Sequence, residues 1–348
     1  MTGRTTRLCL AAAGAALAAT ALSACDSGGS QPGADTGAQA GGGGGLLSVA
    51  QAELAARQWW SQNELALLHH DVKALGDQLD APPLSAAVVH AASAATDTGR
   101  ALLTAPRQPS AVRVYVPADQ SFPLRVLAVF DVVASGASSA GIDHVAEMFV
   151  QRSQSAPLLA EQTVLLDGLE PKFDTDANGL VHTIKPDAQA TLLGRTAASL
   201  PAQFVAYMDG VAHGQPPPGA PVFAAGKHTS DVAGADASYL RTVSTRSKGS
   251  ISSADLGYLA IAAPAPVFAV AGGGGFTMFA VQRTETVHPA TGQAFVQDQA
   301  RHNWGIDLAP GQYPQITTQS LVLVAALLPA GGAPVDVLGG GGGVIGEG

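Results

Sequence analysis

The sequence predicts an α+β fold built from two modules, each a helix cradled by a curved antiparallel sheet in a cone-like arrangement. Apolar residues at helical spacing open the folded body, and short apolar runs separated by turn residues follow them. The same order of elements then restarts around Lys185 and Pro186. We therefore expect a helix and an antiparallel meander in each half.

The first half begins with a helix signal. Ser48 followed by Gln51 matches a capping box, and apolar residues from Leu54 to Leu79 recur at helical spacing. This pattern predicts one or two helices between residues 49 and 80, stopped by Pro82 and Pro83. Runs of strand-forming residues predict strands at 112–116, 124–133, 146–151, 158–166 and 180–184.

The second half repeats that order. A helical stretch is predicted at 187–213, and it ends before the turn at Pro216-Pro217-Pro218-Gly219. Strands are predicted at 257–263, 266–271, 276–287, 316–328 and 334–338. A helix held by a curved sheet is similar in outline to cystatin-like and NTF2-like folds.

The N-terminus has the pattern of a secretory signal peptide. Arg4 and Arg7 precede an apolar run that is shorter than the roughly 20 residues a membrane-spanning helix needs. The run ends in Leu22-Ser23-Ala24-Cys25, which resembles the lipobox of bacterial lipoproteins at all four positions. The resemblance implies that the leader is removed, that Cys25 carries diacylglycerol and palmitate, and that the protein is anchored at the outer face of the cell membrane. An ordinary secreted protein is the alternative.

The chain divides into five predicted parts. Residues 1–24 are the signal peptide, 25–45 the lipidated cysteine with a flexible Gly-rich tether, 46–186 the N-terminal domain, 187–340 the C-terminal domain and 341–348 a flexible tail. The body also resembles a group of uncharacterised actinobacterial lipoproteins, in segments such as VRVYVPADQSFPLRVLAVFDVV and PVFAVAGGGGFTMFAVQRTETV. That resemblance implies an architecture and a cell-envelope location, and it supplies no catalytic residues.

Charge and cysteine content limit the partners and the thiol chemistry that we expect of this protein. Without Arg4 and Arg7 the chain keeps 16 of its 18 basic residues against 27 acidic ones, so nucleic acid is not an expected partner. Anionic headgroups would also repel this acidic body, which leaves the lipid on Cys25 as the expected membrane contact. The lipobox resemblance implies that Cys9 leaves with the leader and that lipid blocks the sulfur of Cys25, so we expect a mature chain with no free thiol and no disulfide.

The segment 174–179 resembles the start of a calcium loop. Asp174, Asp176 and Asn178 place oxygen ligands at positions 1, 3 and 5, and Gly179 stands at position 6. Position 12, which needs a bidentate Glu, is Lys185. A tight hairpin turn is therefore the favoured interpretation, and we expect no metal ligand here.

Other motifs favour structural roles. The run 341–346 fits G-x-G-x-x-G but has no following helix, so no cofactor is expected, and Gly272–Gly275 is predicted to be a hairpin loop. His69-His70-Asp71 is predicted to be a solvated helix end, because adjacent helical residues point about 100° apart. Of Trp59 and Trp60, one ring is expected in the core and the other partly exposed. A small-residue loop is predicted at 136–141.

No catalytic set can be assembled from this sequence, and we nominate no catalytic residue. The favoured hypothesis is a non-enzymatic lipoprotein that binds an unknown protein or a small apolar ligand, the latter in a pocket between helix and sheet. The alternative is an envelope hydrolase whose residues meet only in three dimensions. Convergent His, Asp, Glu or Ser side chains in one pocket would favour that alternative.

Overall fold

The computed structural model describes residues 47–80, 105–133, 141–215, 219, 221–261, 266–297 and 311–347. The predicted leader, Cys25 and the tether lie outside these residues, and so does most of the predicted loop at 136–141. The described part combines helices with a large antiparallel sheet, which confirms the α+β class.

The helices match the predicted positions and add one. They are α1 (Val49–His69), α2 (Val72–Gly76), α3 (Pro186–Leu193), α4 (Leu200–Ala212) and α5 (Ser230–Arg246). The predicted capping box opens α1, because Ser48 Oγ accepts from the Gln51 N–H and the Gln51 side chain accepts from the Ser48 N–H. No element was predicted where α5 lies.

The strands are β1 (Ala111–Tyr115), β2 (Leu124–Val133), β3 (Ile142–Gln151), β4 (Leu159–Leu166), β5 (Ile251–Ile261), β6 (Phe268–Ala269), β7 (Gly275–Pro289), β8 (Phe295–Gln297), β9 (Gly311–Tyr313), β10 (Ile316–Leu328) and β11 (Asp336–Glu347). Nine of the strands overlap predicted runs, β6 is shorter than its predicted run, and β8 and β9 were not predicted. One sheet has the order β1-β2-β3-β4-β11-β10-β7-β5 with β6 on β7, and β8 pairs with β9 separately. The sheet therefore runs through both predicted domains, joined where β4 meets β11.

The helices of both halves lie on the same face of this sheet. Five consecutive cross-strand pairs put Phe130, Val145, Leu165, Gly340, Val324 and Phe279 on one face. Trp60 of α1 packs on Phe130 with ring centroids 4.6 Å apart, and Phe204 of α4 packs on Phe279 at 5.6 Å. The opposite face carries Val129, Ala146, Val164, Ala325 and Met278, which are buried members of one apolar cluster.

The sheet curls around the side chains of this opposite face and closes at one end. Pro117, just after β1, bridges to Val181, and Thr183 bridges to Phe268 of β6, which pairs with β7. The pairings thus return from β7 to β1, as in a barrel filled by side chains. Phe173 lies inside and contacts the rings of Tyr115, Phe268 and Phe276 at centroid distances of 4.3, 6.0 and 5.6 Å. The predicted strand at 180–184 is this bridging segment.

The prediction of a flexible tail at 341–348 is wrong for residues 341–347, which form the end of β11. Glycine is required there by close packing. A Cβ on Gly341 would overlap the Thr163 carbonyl oxygen of β4, and one on Gly342, whose φ is +137°, would overlap the Leu321 carbonyl oxygen of β10. The glycine run therefore lets β11 pass between its neighbours.

Candidate functional site

A cleft of about 260 Å³ lies on the outside of the closed end of the sheet, where the two halves of the chain meet. Three segments far apart in sequence form it: the connection from β1 to β2, the bridging segment that leads into α3, and the residues before β6. It is lined by Pro117, Asp119, Ser121, Pro123, Leu124, Arg125, Thr183, Ile184, Lys185, Pro186, Gln189, Pro266 and Val267.

Backbone hydrogen bonds fix the walls of the cleft. The Ala118 N–H donates to the Val181 carbonyl at 2.8 Å, and the Ile184 N–H donates to the Val267 carbonyl at 2.8 Å. Gln189 is buried, donates from Nε2 to the Ile184 carbonyl at 3.0 Å and accepts from the Ala197 N–H at 2.8 Å. The backbone that carries the lining side chains is therefore tied to neighbouring elements on several sides.

The cleft combines apolar walls with polar side chains that have no partner in the part of the chain that the structure describes. Asp119, Ser121, Thr183 and Lys185 make no side-chain hydrogen bond or ion pair within the described part of the chain. Arg125 differs, because its guanidinium is held by Glu161 through bonds of 2.7 and 2.9 Å. The groups available to a ligand are therefore one ammonium, one carboxylate and two hydroxyls, beside proline rings.

The predicted pocket between helix and sheet is filled in the first half. Trp59 packs against Phe149 with ring centroids 5.0 Å apart and lies 6.4 Å from Phe130, which Trp60 also covers. The expectation that one tryptophan is partly exposed is wrong, since both are buried. Trp60 lies under the chain that leads into β1, where its Nε1 donates to the Arg107 carbonyl at 2.9 Å.

A polar network occupies the first half of the sheet on the face opposite α1. Arg113 donates two hydrogen bonds of 2.7 Å to Asp131 and further bonds to Glu170, while Tyr115 donates to Glu170 at 2.7 Å. Hydrogen bonding by Arg113 lowers the pKa of Asp131. Burial opposes ionisation of Glu170, but hydrogen bonds from Arg113 and Tyr115 outweigh it and lower the pKa of that carboxyl. Both carboxylates are thereby held in the charged form.

His144 completes the network without a nucleophile. Its Nδ1 lies 2.6 Å from Asp131 Oδ1, and no hydroxyl hydrogen-bonds the histidine within the described residues. His228 pairs with Asp167 at 2.9 Å in the same manner, again with no serine or threonine hydroxyl on its ring in the part of the chain that is described. These Asp–His pairs are hydrogen-bonded contacts between elements, and neither lines the cleft.

Glu147 is a buried acid of a different kind. It lies on the α1 face of β3 with no solvent exposure, and its Oε1 accepts from Thr163 Oγ1 at 2.9 Å, while Oε2 has no partner among the described residues. Burial raises the pKa of Glu147 well above its usual value, and the Thr163 hydrogen bond opposes that effect only in part. Trp59 contacts both Phe130 and Phe149, which flank the cross-strand row of Ala128 and Glu147, so its ring lies over that row.

The segment that resembles a calcium loop is a hairpin turn, as favoured from the sequence. Asp176 Oδ1 accepts from the N–H groups of Asn178 and Leu180 at 2.8 and 2.9 Å, and Gly179 has a φ of +77°. The carboxylate is thus engaged by the backbone. Across the described ranges, no group of three or more His, Cys, Asp or Glu side chains is arranged to hold a metal ion.

Two other motifs have the predicted local structure. Gly272–Gly274 form the loop between β6 and β7, all with positive φ. His69 ends α1, His70 caps it in the left-handed conformation, and Asp71 caps α2 by accepting from the Ala74 N–H at 2.9 Å. In the described residues no helix is both long enough and apolar enough to cross a membrane.

Sequence reasoning did not find the cleft. In the sequence, Lys185 stands out only at the start of the second half and as a mismatch in the calcium-like loop, and Asp119 carries no motif. The available signal was proline: Pro117, Pro186 and Pro266 each stand at a point where a strand-like run stops or starts. Such positions predict rigid connections, although they do not predict that the three connections meet.

Comparison with protein families identifies the chain's family. The chain belongs to the family described as domain of unknown function DUF8094, whose model matches residues 44–348. The match covers both halves of the sheet and the cleft, and begins just before α1. Comparisons with curated proteins and with solved structures gave no match.

Proposed function

We propose that this protein is a lipid-anchored binding protein of the cell envelope, held at the outer face of the cell membrane by Cys25, and that its ligand occupies the cleft at the junction of the two halves. The lipobox-like segment supports the anchor, and the Gly-rich residues 26–45 give the body a flexible tether with a reach of roughly 25 Å. Binding rather than catalysis is the proposed role of the body.

The cleft is the observation that carries the binding role. It is a concavity in which Asp119, Ser121, Thr183 and Lys185 have no side-chain partner among the described residues, while the backbone around them is fixed. Small-molecule sites combine apolar walls with a few placed polar groups and occur preferentially where two parts of a fold meet. The cleft has both properties.

We also propose that the two halves are copies of one module plan, each a helix on a curved four-stranded sheet of cystatin-like or NTF2-like outline. The strand order supports this, because each half runs from an outer strand to a fourth strand at the centre. In this proposal the two modules share the interior apolar cluster. The cleft then belongs to the junction and to neither module alone.

The anchor is tested by Cys25→Ala in the native host. We expect the variant to leave the membrane fraction while the body keeps the thermal unfolding midpoint of the anchored protein. Labelling with an azide-bearing palmitate analogue should mark the unaltered protein and not the variant. A variant that remains membrane-bound after a carbonate wash would contradict the anchor.

The cleft is tested by filling it. Ser121 is exposed on the cleft wall, so Ser121→Trp should block the site without disturbing the core, and Ser155→Trp is a matched control at another exposed serine. The full mature chain would be purified in mild detergent and examined by native mass spectrometry. We expect a small bound molecule on the unaltered protein and on the Ser155 variant, absent from the Ser121 variant. Equal retention by both variants, or no bound mass on any of the three proteins, would refute the proposal.

A further inference from the structure

We propose that the cleft selects a small zwitterion, with the ligand carboxylate at Lys185 and the ligand ammonium at Asp119, as in a free amino acid or a dipeptide. This inference rests on the proposed function, since it assigns a ligand class to the same cleft.

The opposite charges of the cleft carry the argument. Lys185 and Asp119 line one concavity, yet they form no ion pair with each other or with another residue of the described chain. A purely anionic ligand would face the Asp119 carboxylate, and a purely cationic one would face the Lys185 ammonium. A ligand that carries both charges pairs with both groups and leaves neither charge opposed.

The position of α3 sets the direction in which the ligand lies. Lys185 is the N-cap residue of this eight-residue helix and Pro186 is its first residue, so the positive end of the helix dipole adds to the lysine charge at that wall. Asp187 in the first turn turns its Oδ1 back to the Ala188 N–H at 3.1 Å. The Lys185 side of the cleft is therefore the side for the carboxylate.

The remaining walls limit the size and chemistry of the ligand. A volume of about 260 Å³ is below the roughly 300 to 1,000 Å³ typical of sites for drug-sized molecules. Pro123 and Pro266 offer apolar rings and no backbone N–H donor, while Ser121 and Thr183 offer hydroxyls. A short aliphatic residue between two charged ends matches these walls.

The neutralised Arg125 strengthens this assignment. Because Glu161 occupies its guanidinium with two hydrogen bonds, Arg125 does not add a second free positive charge to the cleft. Among the described residues, the unpaired charges that line the cleft are consequently one of each sign. The hydrogen-bonded backbone on each side of the cleft keeps the Lys185 and Asp119 charges apart, so little reorganisation of the protein accompanies binding.

The test is calorimetric titration of the full mature chain in detergent with three probes: alanyl-alanine, N-acetyl-alanyl-alanine and alanyl-alanine amide. We expect alanyl-alanine to bind about 3- to 10-fold more tightly than either capped form, the range for partly exposed charge-assisted contacts. Lys185→Ala should remove the difference between the dipeptide and its amide. Asp119→Ala should remove the difference between the dipeptide and its N-acetyl form.

Matched controls are Lys172→Ala and Asp174→Ala, which remove one exposed charge of each sign outside the cleft and should leave all three affinities unchanged. Equal affinity for the three probes, or variants that weaken all probes alike, would overturn the zwitterion assignment. If the capped probes bind equally well and Ser121→Trp abolishes their binding, the cleft remains the ligand site and only the assignment is lost. Absence of binding by alanyl-alanine overturns the assignment, and the native mass spectra then decide the proposed function separately.

Discussion

The Glu147→Gln variant should be more stable than the unaltered protein, by a margin that grows as the pH rises from 5 to 7. The buried carboxyl has a folded-state pKa above its value of 4.5 in the unfolded chain. For an acid with a raised folded pKa, the stability contribution is complete below pH 4.5 and is lost as the pH rises toward the folded pKa. The Glu147→Gln variant has no proton to release at this position and keeps its stability.

The magnitude follows from proton linkage. Above the unfolded pKa only the unfolded chain releases the proton, so each pH unit removes about 1.36 kcal/mol from the free energy of unfolding until the folded pKa is reached. Between pH 5 and pH 7 the unaltered protein should lose up to about 2.7 kcal/mol relative to Glu147→Gln. The effects on the pKa of Glu147 are burial and the Thr163 hydrogen bond, so no neighbouring charge offsets the loss.

The assay is urea unfolding at pH 5, 6 and 7, followed by the fluorescence of the buried Trp59 and Trp60. Glu53→Gln is the control, because Glu53 is partly exposed on α1 and, among the described residues, pairs with Arg57 alone. Its effect should stay within about 0.5 kcal/mol at each pH. If the unfolding free energies of the unaltered protein and Glu147→Gln run parallel across this pH range, Glu147 is not held protonated and the reasoning fails.

Three further changes test the fold around the cleft and the sheet. Gly342→Ala should lower the free energy of unfolding by about 2 to 4 kcal/mol, because a Cβ there overlaps the backbone of β10. Gly346→Ala should be nearly neutral. Equal losses by urea unfolding would show that β11 does not pack closely against β10. Trp60→Phe should lower the free energy of unfolding by about 1 to 3 kcal/mol, because a hydrogen bond and ring volume are lost. An unchanged thermal midpoint would contradict the hydrogen bond between Trp60 and the Arg107 carbonyl. Asp176→Ala should cost about 1 kcal/mol through loss of its turn, and calcium should leave the melting temperature of the unaltered protein unchanged; a rise with calcium would restore the metal hypothesis.

The strands were predictable because their patterns are local. β2 spans Leu124–Val133, the predicted range, and β10 spans Ile316–Leu328, again as predicted. Short runs rich in apolar and β-branched residues, bounded by turn residues, carry that information in the sequence itself. The end of β11 was missed because a glycine run has no side chains to show a strand pattern. Its conformation is imposed by β4 and β10, which are distant in sequence.

Helix α5 was not predicted, for a different physical reason. Its inward residues include Ala233 and Ala237, which are buried but too small to mark an apolar stripe strongly. Asp231 in the first turn and Arg246 in the last turn complement the helix dipole and were the available signal. The prediction that one tryptophan is partly exposed is also wrong because of a distant contact. The segment near Arg107 that covers Trp60 is more than 40 residues away in the sequence.

The cleft could not be predicted from the sequence. Asp119 and Lys185 are brought together by the bridge from Pro117 to Val181, and the third wall at Pro266 arrives through the pairing of Thr183 with Phe268. Each of these contacts depends on closure of the sheet. Predicting the site from sequence would have required the topology first.

The most direct measurement of the central claim is a crystal structure of the full mature chain grown with alanyl-alanine. The account predicts density for the dipeptide between the β1–β2 connection and the start of α3, with its carboxylate within hydrogen-bonding distance of Lys185 Nζ and its ammonium at the Asp119 carboxylate. An empty cleft at saturating dipeptide, or a dipeptide bound elsewhere on the protein, would contradict it.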